Sequence, residues 1–214
     1  GLLDGLKVRG GNDANVAALG EIWMGAAKGC RSAVMVTLGT GVGGGVIVNG
    51  KVIDGSHGAG GEIGHITVNR HETATCGCGK HGCLEQYSSA TGVVRCMQKL
   101  LDENPDIPCT LRGIDFAAKD VFDAARSGDA LAAREVDEMT DTLGMALANV
   151  ANTVDPEMFM IGGGVSRAGE VLFAPLREHF QVYAFKSCRE TPIVPAILGN
   201  DAGIYGSVRL IVGE

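Results

Sequence analysis

Three cysteines, Cys76, Cys78 and Cys83, stand in a C-x-C-x4-C spacing, with Gly77, Gly79 and Gly82 between them. Glycines at those places let a loop curl until three sulfurs meet at one point. Structural zinc takes four thiolates, or three thiolates and one imidazole, in a closed tetrahedron. His65, His71 and His81 are near enough in sequence to supply the fourth ligand, and the spacing does not choose among them. A dithiol redox pair would need C-x-x-C, which this stretch lacks. The other four cysteines, Cys30, Cys96, Cys109 and Cys188, are scattered and read as small buried thiols.

Two further groups of residues could do chemistry. The run "LGTGVGGG" (38–45) offers a row of backbone N–H groups and the Thr40 hydroxyl, a cradle of the nest type for phosphate. It is not a P-loop, since no Gly-Lys-Ser/Thr follows, and "IGGGVS" (161–166) is a second glycine turn. Among the carboxylates, Asp13 follows Asn12 at a helix start, where either residue could simply cap the helix or Asp13 could act as a general base. Glu62 sits among small residues in "GGEIGH", and Glu85 lies just beyond the last cysteine. Taken together, such acceptors suit a ligand rich in hydroxyls, because each hydroxyl donates one hydrogen bond and charge-assisted bonds are the strong ones.

These groups need elements to position them. The spacing predicts a helix over 13–29 that closes on Gly29, then two strands within 32–53 joined at the glycines, with a tight turn at Asn49-Gly50. A short strand is expected over 60–68, and helices over 84–101, 114–128 and 129–154, with Asp115 and Gly128 as start and stop signals. A strand over 156–166, a helix over 167–180, a strand over 191–198 and a helix over 201–212 complete the pattern. Strands alternating with helices indicate an α/β fold with a partly parallel sheet.

The bulk properties exclude several classes. At 45% hydrophobic and 20% charged the chain reads as globular. A net charge of −7 argues against nucleic acid, and a phosphate ligand would be held by backbone N–H groups and a metal cation. No apolar run approaches the roughly 18 to 20 residues that span a membrane, and "GLLDGLKVRGG" lacks the charged start and apolar core of a signal peptide. A cytoplasmic protein without a disulfide framework or a membrane partner is expected.

The stretches "NDANVAALGE" (12–21), "LGTGVGGGVIVNGK" (38–51), "GAGGEIGHITV" (58–68), "CGCGKHGCLEQYSSATG" (76–92) and "MIGGGVS" (160–166) resemble the ROK family (repressors, open reading frames, kinases), most closely its bacterial glucokinases. The resemblance implies an actin-like ATPase (ribonuclease H-like) fold, a mixed sheet with flanking helices and a zinc-bound loop. It implies one domain over 1–214, mostly the carboxy-terminal lobe of a two-lobed sugar kinase, with the amino-terminal lobe and its Asp-x-Gly-Gly-Thr phosphate loop outside these residues. The implied reaction moves the ATP γ-phosphoryl group to the 6-hydroxyl of glucose. By position Asp13 would be the catalytic base, and Asn12, Glu62, His65 and Glu85 would bind sugar hydroxyls. His65, Cys76, Cys78 and Cys83 would hold structural Zn²⁺, leaving His71 and His81 as surface residues. Thr40 and Gly41 would face the phosphates of ATP with its Mg²⁺, and Gly163 and Gly164 would lie near the adenosine. A homodimer or homotetramer is implied. The alternatives are another hexose or N-acetylated hexose as substrate, or the sugar-sensing domain of a ROK repressor. In one respect the chain departs from the family pattern: Gly11 stands where a Glu usually precedes Asn-Asp-Ala-Asn.

Overall fold

The computed structural model describes Gly5 and residues 8–212, so most of the opening segment "GLLDGLKVRGG" lies outside the described residues. Five strands form one mixed sheet in the order β3-β2-β1-β4-β5: β1 (Ala33–Leu38), β2 (Val42–Val48), β3 (Lys51–Val52), β4 (Met158–Gly162) and β5 (Ile193–Pro195). β1 pairs antiparallel with β2 and parallel with β4, and β5 extends the parallel half. The turn at Asn49-Gly50 is as expected, with positive φ at both residues (52° and 76°), the geometry that matches hairpin twist.

Alternate residues of β1 feed two different cores, as the period-two geometry of a strand requires. Val34, Val36 and Leu38 face one side, where Phe159 and Ile161 of β4 join them. That layer is closed by α3 (Ala90–Glu103), α4 (Ala118–Arg126), α5 (Ala130–Val154) and α6 (Glu170–Tyr183). Ala33 and Met35 face the other side with Ile47 and Met160, beneath α1 (Asp13–Met24). α7 (Ala202–Val212) lies against α1 at two glycines: a Cβ on Gly20 would stand 2.2 Å from the Ala202 carbonyl, and one on Gly206 1.7 Å from the Val16 carbonyl. No described helix is long and apolar enough to cross a membrane.

Several expectations need correction. Residues 60–68 form no strand: Ile63–His65 is a single 3-10 turn, and only an isolated bridge pairs Thr67 with Cys83. The reason is packing, for the Gly61 carbonyl and Ile63 press on the face of β2 at Gly44 rather than on its edge. α1 stops at Met24, not Gly29, because the buried Glu21 carboxylate accepts the Ala26 N–H at 2.8 Å and turns the chain. The helix expected over 84–101 breaks at Ser89 into α2 (Glu85–Ser88) and α3, and the Ser89 hydroxyl caps α3 by accepting the Gly92 N–H. α4 begins at Ala118 rather than near Asp115, its start fixed by Asp120 accepting the Ala117 N–H. β5 covers only 193–195 of the expected 191–198. Of the four scattered cysteines only Cys188 is fully buried; Cys30, Cys96 and Cys109 are half-buried.

Candidate functional site

His65, Cys76, Cys78 and Cys83 converge: one donor atom from each lies within 4.8 Å of every other. Cys78 Sγ and Cys83 Sγ are 3.6 Å apart, and Cys76 Sγ is 3.8 Å from His65 Nδ1. A tetrahedron with Zn–S bonds of about 2.3 Å has edges of about 3.8 Å, so these separations suit the ion. The thiol chemistry agrees. Burial pushes the Cys83 thiol up to about 12 and Cys76 in the same direction, while the Lys80 backbone N–H lowers Cys78. Three such sulfurs become thiolates together only beside a cation. Three thiolates and an imidazole are a structural-zinc donor set, and the residues fit it. His71 and His81, the other histidines considered, are both exposed, and His81 Nδ1 lies 3.1 Å from the Ala74 carbonyl.

The loop reaches this geometry through its backbone. Gly79 and Gly82 have φ of 85° and 69°, and a Cβ on Gly82 would meet the Asn69 carbonyl at 1.7 Å. Gly77, also expected to matter, has open space around it and no positive φ. Lys80 Nζ donates to the His65 carbonyl at 2.8 Å, and Leu84 N donates to Ile66 at 2.9 Å, tying the cysteine loop to the 3-10 turn. Glu72 clamps the outer side. Its Oε1 accepts the N–H groups of Thr73 and Ala74 at 2.9 and 3.0 Å; its Oε2 accepts the Tyr87 hydroxyl at 2.7 Å and Arg95 at 3.1 Å. These bonds, the Ala74 N–H first, hold the Glu72 carboxyl down at about 2. Sequence reasoning missed Glu72, Tyr87 and Arg95, since no motif marks a polar clip between residues so far apart.

The segments that carry the carboxylates pack around the start of β2. Glu85 Oε2 accepts the Val42 N–H at 3.2 Å, at the start of β2, while its Oε1 lies 3.5 Å from Cys76 Sγ. One residue on, Gly43 faces Ala14, so the start of α1 with Asn12 and Asp13 sits there. At Gly44 the Gly61 carbonyl packs close, bringing the loop that carries Glu62. Glu62 Oε2 in turn is 4.0 Å from His65 Nε2, on the ring edge opposite the cysteines. Asn12, Asp13 and Glu62 are exposed, and Asn12 Oδ1 caps α1 by accepting the Ala14 N–H at 2.9 Å. Asn15, not singled out from sequence, is buried with its Nδ2 on Asp54 and its Oδ1 unpaired.

The glycine cradle differs from the sequence expectation. Gly43, Gly44 and Gly45 lie inside β2, where the ladder with β1 uses their backbone, and their lack of a side chain admits α1 and the Gly61 loop. Only Gly39, Thr40 and Gly41 form a turn, and a Cβ on Gly41 would stand 2.2 Å from Glu85 Oε2. Thr40 is exposed and, with Gly41, Cys76 and Glu85, borders a cavity of about 480 Å³. Gly163, with φ of 84°, sits against the end of β1, since a Cβ there would meet the Leu38 carbonyl at 2.4 Å. The two glycine turns therefore stand side by side at the carboxyl ends of parallel β1 and β4, the place where open α/β sheets bind ligands.

The sequence profile of the ROK family matches residues 4–214. This chain belongs to the ROK family. The ROK relatives include the glucokinase of Halalkalibacterium halodurans, 46% identical over 94% of this chain and 62% of that protein, and the glucokinase of Thermotoga maritima, 42% identical over 97% of this chain and 66% of that protein. The chain thus spans just under two thirds of the length of these two relatives. Among solved structures, a ROK glucokinase from Streptomyces griseus in complex with glucose and AMPPNP superposes with a TM-score of 0.82, at 36% identity, covering 96% of this chain and 68% of that one. The mixed sheet and flanking helices are those of the ROK sugar-kinase, actin-like ATPase fold.

Proposed function

We propose that this chain forms the carboxy-terminal lobe of a glucokinase that transfers the ATP γ-phosphoryl group to the 6-hydroxyl of glucose. The observation that carries the reading is that three carboxylate-bearing segments pack around the start of β2: Glu85 on the Val42 N–H, the start of α1 on the face of Gly43, and the Glu62 loop on the opposite face at Gly44, where Gly61 also comes up to Asn15 of α1. Carboxylates and an imidazole on segments that all pack around the start of β2 suit a ligand with a ring of hydroxyls. The named glucokinases of other bacteria and the glucose-bound ROK structure support the same assignment.

In this reading Asp13 accepts the proton of the attacking hydroxyl, and its place at the exposed first turn of α1 keeps the carboxylate fixed and open to substrate. Asn12, Glu62, His65 and Glu85 orient the ring, since phosphoryl transfer depends mainly on positioning and electrostatics. Thr40 and Gly41 face the phosphates, and Gly163 and Gly164 lie by the adenosine. Mg²⁺ bound with ATP supplies charge neutralisation across the phosphates. His65, Cys76, Cys78 and Cys83 would hold Zn²⁺, whose chemistry here is that of a cross-link. His65 would then give Nδ1 to the ion and leave Nε2 for a sugar hydroxyl, next to Glu62.

The test is Asp13→Asn in the full-length protein. A fall in kcat of about 10²- to 10⁴-fold with hexose Kd changed by less than threefold is expected, the range for losing a general base. Near-normal turnover would remove Asp13 from the role. Glucose should give a higher kcat/KM than N-acetylated hexoses in the parent protein; the reverse order would reassign the substrate.

A further inference from the structure

On the far side of Arg95 from Glu85, a cavity of about 600 Å³ opens between α3, α5 and the loop at 69–73. It belongs to no part of the proposed sugar or nucleotide site. Glu135 of α5 lines it, is only 2% exposed, and has no hydrogen-bond or ion-pair partner among the described residues. A buried carboxyl without a partner is costly, so its environment asks what would pair with it.

The surrounding charges are already matched. From α3, Arg95 pairs with Glu72 of the loop at 3.1 Å, and Lys99 with Glu103 at 3.7 Å. From α5 itself, Arg134 pairs with Glu138 at 2.7 Å, and Asp141 takes His179 at 3.2 Å and the Tyr183 hydroxyl at 2.8 Å. The Cys96 thiol is raised to about 11 by burial and by Glu135, so it brings no charge at neutral pH. His71, also on the rim, is exposed to water. The charge of Arg95 favours ionised Glu135, but its ion pair is with Glu72, so Glu135 is the carboxylate left without a hydrogen-bonded or ion-paired cation. An anion would find every cation here occupied, and a metal ion would find one carboxylate where hard cations need several oxygens. Leu100 and Met139 add apolar wall.

We propose that this cavity binds the charged head of a small organic cation, a guanidinium or a primary ammonium on an aliphatic stem, with Glu135 as the carboxylate that receives it. Burial, and then the neighbouring Glu138, push the Glu135 carboxyl up to about 8. Binding of a cation therefore selects the ionised form and releases a proton, so affinity rises with pH.

The probe is n-butylguanidinium, whose charge is constant over this range, titrated calorimetrically into the full-length protein. Saturable one-to-one binding should tighten by about twenty-five-fold from pH 6.5 to pH 8.5, the ratio of ionised Glu135 for a group titrating at about 8. N-butylurea, of the same shape without charge, should not bind. Glu135→Gln should abolish binding while its melting temperature at pH 8 stays at or above the parent's. Binding that ignores pH, equal binding of the urea, retention in Glu135→Gln, or no binding at millimolar probe would each overturn the proposal. So would a probe that binds only as oligomers dissociate on dilution, since the pocket would then be filled by a side chain of a second copy. The pH series and the urea control need only the parent protein, so they decide the matter even if the variant fails to fold.

Discussion

The segment from His65 to Gln86 and the sheet behind it are built on different physics. In the sheet, Val34, Val36, Phe159 and Ile161 are all 0% exposed and pack against Leu143 and Leu147 of α5. Burial at about 25 cal/mol per Å² of apolar surface is enough to form such a layer. The loop has little of this. Its fixed points are Gly82 under the Asn69 carbonyl, Lys80 on the His65 carbonyl, the Glu72 clamp and the sulfur cluster. Yet the loop is what brings His65 and Glu85 to the glycine strand. A segment that must present polar groups to a ligand cannot also bury enough apolar surface to hold itself, and the proposed zinc cross-link would take over that task.

The contrast can be broken from either side. The largest effect expected is that of Cys83→Ser. It removes a fully buried member of the sulfur cluster, so zinc content by elemental analysis should fall from one per chain to near zero and hexose affinity by at least tenfold, with far-ultraviolet circular dichroism of the body nearly unchanged. Retained zinc would exclude Cys83 from the set. Phe159→Ala should do the opposite. It costs about 3–5 kcal/mol of stability by denaturant unfolding while leaving zinc bound in the folded fraction. If it released zinc as readily as Cys83→Ser, the two regions would share one source of order.

A smaller effect sharpens the comparison. Glu72 is held at about 2 against an ordinary 4.5, so its contribution is complete above about pH 4.5 and is lost as pH falls towards 2. Glu72→Gln should cost about 1–2 kcal/mol at pH 7 and flatten stability across that acid window. An acid-unfolding curve identical to the parent's would mean that the clamp adds nothing to the loop.

Sequence made the alternation of strands and helices legible, because β1, β4, α5 and the turn at Asn49-Gly50 carry their signals within a few residues. The sulfur set was legible for the same reason: its spacing is local, and resemblance to the ROK family pointed to His65 among three histidines. What sequence missed is long-range. Gly43 to Gly45 looked like a phosphate loop, but their lack of side chains serves the packing of α1 and the Gly61 turn on β2. Residues 60–68 had the composition of a strand, but the contact of Ile63 with Gly44 took them off the sheet edge. Glu72 and Glu135 left no signal, since nothing local distinguishes a clamped or buried carboxylate from a solvated one.

The measurement closest to the central claim is hexose affinity of the full-length protein before and after its zinc is stripped by a chelator, with zinc restored as the third arm. The account predicts that affinity drops by at least tenfold on removal and returns on restoration, while the sheet stays folded throughout. Unchanged affinity in the zinc-free, folded protein would contradict it.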